Sequence, residues 1–292
     1  MNKGILYTAL SGTLYGSIGY FGSQLMAQGL SVRDLLLWRF LFSTALLLPF
    51  LPSFWKHRAT SPVNVKALLI LLFLGGAVYG SGTALYFESS KLIGTGLAMV
   101  IFFTYPIFVV GMSACINKTP LNRVTLISVA LIVVGCSMIA FEQNMKLDLT
   151  GILLAILSAV AYAIYVFWSK KTTSVLPPVL ATLTVCMGGT LAFIAYIVAV
   201  RGAFFVPSTS QMWVHISLFS LIGTVLPVLL LLAGLKYISA NKASIISVLE
   251  PVTTLGVGAI VLEEAVSPLQ LLGSAIILSS AMIIQLDKEK AA

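Results

Sequence analysis

The chain has 292 residues, of which 59% are apolar and only 9% are charged, and its mean hydropathy is +1.05. Soluble domains have about 45–50% apolar and about 25% charged residues, so this chain has too few charged side chains to cover a water-exposed surface. The composition excludes a cytosolic enzyme, a nucleic-acid-binding domain and a disulfide-stapled secreted module. It predicts an all-α integral membrane protein, whose solvent is mostly lipid.

Ten apolar runs are long enough to be transmembrane helices, which need about 20 residues each. Their approximate limits are 4–28, 34–53, 66–90, 94–115, 121–141, 150–169, 179–200, 211–235, 240–262 and 268–286. The first run follows Lys3 and has no clear small-residue cleavage site, so we interpret it as a retained helix and not as a signal peptide.

The positive charges predict the orientation of these spans. With the N-terminus inside, twelve of the 17 basic residues fall on the cytoplasmic side: Lys3, Lys56, Arg58, Lys66, Lys118, Arg123, Lys170, Lys171, Lys236, Lys242, Lys288 and Lys290. The opposite side has Arg33, Lys91, Lys146 and Arg201. Since cytoplasmic loops are enriched in Lys and Arg, both termini are predicted to be cytoplasmic. The formal charge of +8 then reflects topology, and no nucleic-acid partner is expected.

The two halves of the chain resemble each other when the sequence is shifted by about 145 to 147 positions. Matching pairs include Gly4 and Gly151, Ser11 and Ser158, Tyr15 and Tyr162, Lys91 and Lys236, Pro106 and Pro251, and Gly111 and Gly256. Each half, residues 1–146 and residues 147–292, has five predicted spans. Because five is odd, the second half enters the membrane from the opposite side. This predicts an inverted repeat, which is typical of secondary transporters with a site near the midplane.

Prolines lie well inside three of the predicted spans. Pro106 and Pro251 occupy equivalent positions near the middle of the fourth and ninth spans, and Pro227 lies in the eighth. A proline has no N–H, so each kinks its helix and leaves the carbonyl four residues earlier without a donor, as at Gly223. In lipid such a break persists where it packs on protein or lines a wet cavity. For a single proline, a kink that fits the helices together and a contact with substrate are equally acceptable explanations. The symmetry of Pro106 and Pro251 favours a functional role for that pair.

Arg39 and Glu88 are ionisable residues inside predicted spans, which are costly in lipid and therefore indicate function. They lie at similar depth in consecutive spans, so we expect a structural or gating ion pair between them. In the alternative, Glu88 is a substrate-amine or proton site, while Arg39 binds a carboxylate or tunes the pKa of Glu88.

Glu250 directly precedes Pro251 at mid-membrane, and only Arg39 could match its depth as a basic partner. We expect a residue that couples protons or recognises a cation; the alternative is a neutral acid that is hydrogen-bonded between helices. Its equivalent in the first half is Tyr105, which could donate a hydrogen bond from that side.

Tyrosines at mid-helix are the remaining candidates for the site: Tyr15, Tyr79, Tyr105 and Tyr162, with Tyr86 beside them. A phenol inside a bundle needs a hydrogen-bond partner, which a polar cavity provides. Tyr79 and Glu88 are nine residues apart, which is about 180° around a helix, so both face one cavity only if the helix bends.

These features resemble the drug/metabolite transporter superfamily, in its ten-helix EamA-type branch. The segment EPVTTLGVGAIVLEEAVSPLQLLG, residues 250–273, is similar to that family's C-terminal repeat signature at Glu250-Pro251, Glu264, Gln270 and Gly273, and WRF around Arg39 resembles its second helix. Glu263 replaces the usual glycine before Glu264, and the first half has Pro120 where glutamate is usual.

The resemblance implies a secondary carrier in a bacterial inner membrane, for small metabolites such as amino acids or related amines, with export common in the family. It also implies a central cavity between spans one to four and six to nine, with spans five and ten at the periphery.

We therefore expect a working monomer, without a cofactor or metal, whose substrate-binding residues are Tyr15, Arg39, Tyr79, Glu88, Tyr105, Tyr162 and Glu250. Proton coupling, exchange and uncoupled facilitation all fit. An exporter of organic cations or drugs is the alternative, followed by a non-transporting scaffold or sensor. Arg39 facing the cavity would favour amino acids, and Arg39 bound to Glu88 would favour cations. Catalysis is not expected, since no metalloprotease, nucleophile-elbow or P-loop string occurs.

Overall fold

The computed structural model of the protein describes residues 3–51, 64–141, 147–203, 205–261, 263 and 265–286. These ranges contain helices and short connections, and no β-strand occurs within them. The helices are α1 (Lys3–Tyr15 and Ile18–Ala27), α2 (Val32–Leu47), α3 (Val65–Ile93), α4 (Thr95–Phe102 and Tyr105–Ile116), α5 (Arg123–Ala140), α6 (Leu149–Thr173), α7 (Pro178–Ala199), α8 (Ser210–Leu235), α9 (Ala240–Ile246 and Glu250–Val261) and α10 (Pro268–Ile283). Short 3₁₀ segments are Leu48–Phe50, Ser247–Leu249 and Ile284–Leu286, and π-helical turns are Leu74–Gly80 and Leu221–Val225.

Within the described residues, seven helices, α3 to α9, are long and apolar enough to cross a membrane. The protein is therefore a multi-pass membrane protein. The other three predicted spans are also helical, but α2 and α10 have 16 residues each and α1 is interrupted at Gly16 and Ser17. Parts of the predicted loops, including Lys56 and Arg58, lie outside the described residues, as do Lys146, Lys288 and Lys290.

Helices begin where short polar side chains satisfy the first backbone N–H groups. Ser31 accepts a hydrogen bond from the backbone of Asp34 at the start of α2, and Asp148 accepts one from Gly151 at the start of α6. At α10 the cap is reciprocal, because Ser267 and Gln270 each bond the other's backbone N–H.

Two helix pairs are held by equivalent hydrogen bonds. Ser11 Oγ on α1 donates to the carbonyl of Pro227 on α8, and Ser158 Oγ on α6 donates to the carbonyl of Gly82 on α3. Both bonds are 2.7 Å long and buried. Both pairs run antiparallel, since Gln28 at the end of α1 contacts His215 near the start of α8, while Ser89 near the end of α3 donates to Gly151 at the start of α6.

The bundle therefore has two distinct ends. The Gly94 end is defined by the connections at residues 28–31, 94, 147–148, 200–203 and 205–209. The Asn117 end is defined by the connections at residues 117–122, 174–177 and 236–239. Lys170 Nζ donates to the carbonyl of Leu235 at the Asn117 end, where α6 and α8 finish.

Glycines allow some helix backbones to touch directly. A Cβ on Gly75 would meet the backbone of Val185, and a Cβ on Gly188 would meet the carbonyl of Leu72, so α3 and α7 are in backbone contact. Gly135 and Gly273 bring α5 and α10 together in the same way. Small residues are typical of such contacts within membranes.

The prolines interrupt the helices where the sequence predicts. α4 stops at Phe102 and resumes at Tyr105 before Pro106, and α9 is broken at Ser247–Leu249 before Pro251. Val248 in the second break has non-helical backbone angles, φ −75° and ψ 28°. The π-helical turn Leu221–Val225 immediately precedes Pro227. The predicted breaks at mid-helix are thus confirmed.

Candidate functional site

A cavity lies between α1, α2, α3, α4, α6 and α9, and the space between its walls is about 490 Å³, part of which is open solvent. Most of its wall is aromatic or aliphatic, and it includes one basic and one acidic side chain. The lining residues are Tyr15, Ile18, Arg39, Tyr79, Gly82, Thr83, Tyr86, Phe87, Phe102, Tyr162 and Glu250.

Arg39 on α2 is held from both halves of the chain. Its Nε donates to Thr224 Oγ1 at 2.5 Å, and its Nη2 donates to the carbonyl of Gly223 at 2.8 Å and to Tyr79 Oη at 3.0 Å. The face of the guanidinium also packs on the ring of Phe219, with Cζ 4.9 Å from the ring centroid. Arg39 is only 1% exposed, so this cation is buried within the bundle.

Proline chemistry explains one of these partners. Pro227 has no N–H to donate to the carbonyl of Gly223, as the sequence predicts, and that carbonyl accepts from Arg39 instead. A third guanidinium nitrogen, Nη1, is buried and makes no hydrogen bond with any described residue. Arg39 therefore reaches the cavity with its charge hydrogen-bonded to neutral groups and with one donor unused.

Glu250 is the first residue of α9 after the break, and its side chain borders the same cavity. Among the described residues, the ion pairs within 4.0 Å are Arg33 with Asp34 and Lys91 with Glu88, so Glu250 is in neither. Its backbone carbonyl accepts from Thr253 and Thr254, and Thr254 also bonds the carbonyl of Gly16 on α1. The carboxylate and the Arg39 guanidinium thus share one cavity without pairing.

The predicted tyrosines form one aromatic cluster. Tyr15, Tyr79 and Tyr162 line the cavity, and the hydroxyls of Tyr15 and Tyr79 are 3.3 Å apart. Tyr79 stacks on Tyr165, with ring centroids 4.9 Å apart. The cluster connects the cavity lining to Arg39, since Tyr79 accepts a hydrogen bond from Arg39 Nη2.

Tyr105 lies beneath the cavity and is not part of its lining. Its ring packs edge-on against Tyr162, with centroids 4.7 Å apart, and its hydroxyl donates to the carbonyl of Ser244 on α9 at 2.7 Å. Ser113, about two turns further along α4, donates to Asn241 at 2.6 Å. These two buried bonds close the bundle between the cavity and the Asn117 end.

Glu88 is placed differently from the prediction. Its carboxylate accepts from Lys91 Nζ at 3.0 and 3.1 Å, and both side chains are 49% exposed. The predicted ion pair between Arg39 and Glu88 is therefore wrong. Depth alone suggested that pair, but Glu88 is on the side of α3 opposite Tyr79, so it faces away from Arg39 and from the cavity.

Several lining residues were not among those predicted. Gly82, Thr83 and Phe87 follow Tyr79 at helical spacing, so this face of α3 could have been read from the sequence. Ile18 and Phe102 carry no such signal. Thr224 also was missed, although it follows Tyr79 by 145 positions, the offset that relates Lys91 to Lys236.

The other residues of the family-like segment are structural where they are described. Gln270 forms the cap of α10, and Gly273 allows α10 to touch the backbone of Gly135 on α5. Glu264 lies outside the described residues.

Comparisons with known proteins agree with this architecture. A solved crystal structure matches with a TM-score of 0.77 at 16% identity, and the match covers 97% of this chain and 96% of that one, which shows the fold alone. An uncharacterized inner membrane transporter of Salmonella typhimurium, YicL, is 27% identical over 99% of this chain and 97% of its own. The threonine/homoserine exporter RhtA of Escherichia coli is 25% identical over 84% of this chain and 78% of its own.

The sequence pattern of the EamA-like transporter family matches the chain twice, at residues 2–141 and at residues 149–286. The two matches cover nearly the whole chain, and the similar proteins are named as transporters. This multi-pass membrane protein therefore belongs to the EamA-like transporter family, within the drug/metabolite transporter superfamily.

Proposed function

We propose that the protein is a secondary transporter that carries amino acids or related amines across the inner membrane by alternating access. One observation carries this proposal: Arg39 and Glu250 border the same cavity and do not pair with each other. A small molecule with both a carboxylate and an ammonium group would satisfy both residues at once.

Electrostatics favours such a zwitterion over a simple cation. A buried guanidinium without a carboxylate partner is costly, and Arg39 has only neutral hydrogen-bond acceptors. The carboxylate of an amino acid would neutralise Arg39 and give Nη1 an acceptor. The ammonium group would then meet Glu250, while the aromatic wall contacts the side chain.

The relative RhtA is named as a threonine/homoserine exporter, which supports an amino-acid substrate for the present chain. Coupling to protons, exchange and facilitation all fit a cavity with one unpaired carboxylate, so the experiment below includes a pH gradient. We propose that the working unit is a monomer surrounded by lipid.

The proposed topology has ten transmembrane helices in two inverted repeats, residues 1–146 and 147–292, with both termini in the cytoplasm. Two matches to one family pattern support the repeat, as do the equivalent bonds of Ser11 and Ser158. In this orientation the Gly94 end faces outward. Since Tyr105 and Ser113 close the other side, the structure would correspond to an outward-facing state.

An exporter of organic cations is the second candidate, because Glu250 and the aromatic wall would suit a cation. Arg39 opposes it, since its positive charge borders the same space. A scaffold or sensor without transport activity would not need an unpaired Glu250.

The test is counterflow in proteoliposomes with three matched compounds: leucine, its decarboxylated amine isopentylamine, and its deaminated acid 4-methylpentanoate. Threonine and a quaternary ammonium compound complete the panel, each with and without a pH gradient. We expect saturable counterflow of an amino acid. Counterflow of the amine and of the acid should be at least tenfold lower, because each lacks one charged group and loses about one hydrogen bond to a charged residue.

Arg39→Gln should abolish the preference for the amino acid over the amine, and Glu88→Gln, outside the cavity, is the matched control. Saturable counterflow of the quaternary ammonium compound without the amino acids would establish the cation exporter instead. No flux of any compound by a folded protein would contradict transport of this substrate class.

A further inference from the structure

The two side chains that hold Arg39 lie at equivalent positions of the two halves. Tyr79 accepts from Nη2 and Thr224 accepts from Nε, and these residues are 145 positions apart, as are Pro106 and Pro251. One comes from α3 and the other from α8, so Arg39 bridges the halves through the same point of each.

Both positions lie in π-helical turns. Tyr79 is in Leu74–Gly80 on α3, and Thr224 is in Leu221–Val225 on α8. Such turns are rare and occur often at functional sites, because they displace side chains from the positions of a regular helix. Here each turn presents one hydroxyl to the same guanidinium.

The geometry of arginine makes these bonds directional. The guanidinium is planar with its five N–H donors in a rigid fork, so fixing Nε and Nη2 also fixes the direction of Nη1. Nε has Thr224 Oγ1 as its partner, and Nη2 has Gly223 and Tyr79. Nη1 is the nitrogen that stays without a partner among the described residues.

We propose that Thr224 is a positioning residue that sets the plane of Arg39, so that Nη1 is available to the substrate carboxylate. This inference rests on the proposed function. Thr224 is fully buried and absent from the cavity lining, so it acts on a substrate only through Arg39. Tyr79 lines the cavity, so its substitution would also change the cavity wall. Substituting Thr224 tests the positioning of Arg39 alone.

The test compares Thr224→Val with Thr224→Ser by counterflow of leucine and of isopentylamine. Valine has nearly the shape of threonine and no acceptor, whereas serine keeps the hydroxyl. We expect Thr224→Val to raise the apparent KM for leucine about tenfold, the effect of losing one hydrogen bond to a charged group. The KM for the amine and the maximal rates should change less than twofold, and Thr224→Ser should restore the leucine KM.

Equal losses for leucine and the amine would show a merely structural role, and an unchanged KM in Thr224→Val would also overturn the inference. If Thr224→Val does not fold, Thr224→Cys provides a side chain of similar size with a weak acceptor, and an intermediate KM for leucine is expected. If the unsubstituted protein shows no preference for leucine over the amine, the proposed function itself fails, and the inference fails with it.

Discussion

The N-terminal and C-terminal halves repeat the frame of the bundle but not its charges. Ser11 and Ser158 make equivalent helix-to-helix hydrogen bonds of 2.7 Å, and Tyr15 and Tyr162 both line the cavity. These repeated features hold the helices and shape the floor of the cavity. A cavity lined only by symmetry-equivalent residues would not favour one orientation of a bound substrate over the reverse.

The charged residues differ between the halves. Arg39 comes from the first half, and Glu250 comes from the second. The residue equivalent to Glu250 in the first half is Tyr105. Glu250 borders the cavity, whereas Tyr105 closes the bundle by donating to Ser244. The frame of the bundle is thus duplicated, whereas each half supplies only one of the two charged groups, so a zwitterion would bind in a single orientation.

Replacing Glu250 should break this asymmetry most strongly. In Glu250→Gln the side chain keeps its size but loses its charge, so the ammonium group loses a charged partner. We expect counterflow of leucine to fall about 10- to 150-fold, from a loss of about 1.5–3 kcal/mol. Tyr105→Phe is the matched control from the other half and should retain the leucine preference. Retained counterflow with lost pH-driven flux would instead make Glu250 a proton-coupling residue alone.

The next largest effect is expected on stability, from substitution of a glycine at which two helix backbones touch. In Gly188→Ala the new methyl would meet the carbonyl of Leu72, so α3 and α7 must separate. We expect a loss of about 1–3 kcal/mol, seen as a lower melting temperature in detergent. Gly111→Ala and Gly256→Ala are controls at equivalent positions of the two halves, where the new methyl would meet no neighbouring group within 4 Å outside its own stretch of helix, and neither should destabilise the protein. A stable Gly188→Ala protein would contradict the backbone contact.

The repeated hydrogen bonds offer a smaller and more symmetric test. Ser11→Ala and Ser158→Ala each remove one buried bond between helices. Such bonds contribute about 0.6 kcal/mol on average in membrane proteins, and we expect two equal decreases in melting temperature. The frame would not be equivalent in the two halves if one substitution were neutral and the other strongly destabilising.

The smallest effect is expected at Glu88. Glu88→Gln removes a half-exposed pair with Lys91, so stability should change by less than about 0.5 kcal/mol. Amino-acid counterflow should be unchanged. A marked loss of counterflow would restore Glu88 to the substrate-binding residues.

Much of the fold followed from patterns that depend on the local sequence. Helices occupy the predicted spans, and breaks occur before Pro106 and Pro251, because length, hydropathy and a missing N–H act within one segment. Tyr79 and Glu88 lie on opposite sides of α3, as helical geometry requires.

Pairing between distant segments was harder to predict. The prediction that Arg39 pairs with Glu88 took account of depth in the membrane but not of direction around the helix. Glu88 has a closer partner in Lys91, on its own helix. Thr224 carries no charge, and its role depends on how α8 approaches α2, which no local pattern specifies. The equivalence of Thr224 with Tyr79 was nevertheless present in the sequence.

The bonds of Arg39 also have a consequence for synthesis of the chain. Thr224 follows Arg39 by 185 residues, and a ribosome adds about 5–20 residues per second, so the two are made about 10–40 s apart. A guanidinium at the centre of a single helix costs about 2.5–3.5 kcal/mol on insertion into the membrane. During this interval the first half offers Arg39 the hydroxyl of Tyr79, and its other two partners arrive only with α8. The second helix therefore reaches its final environment late, when most of the second half has entered the membrane.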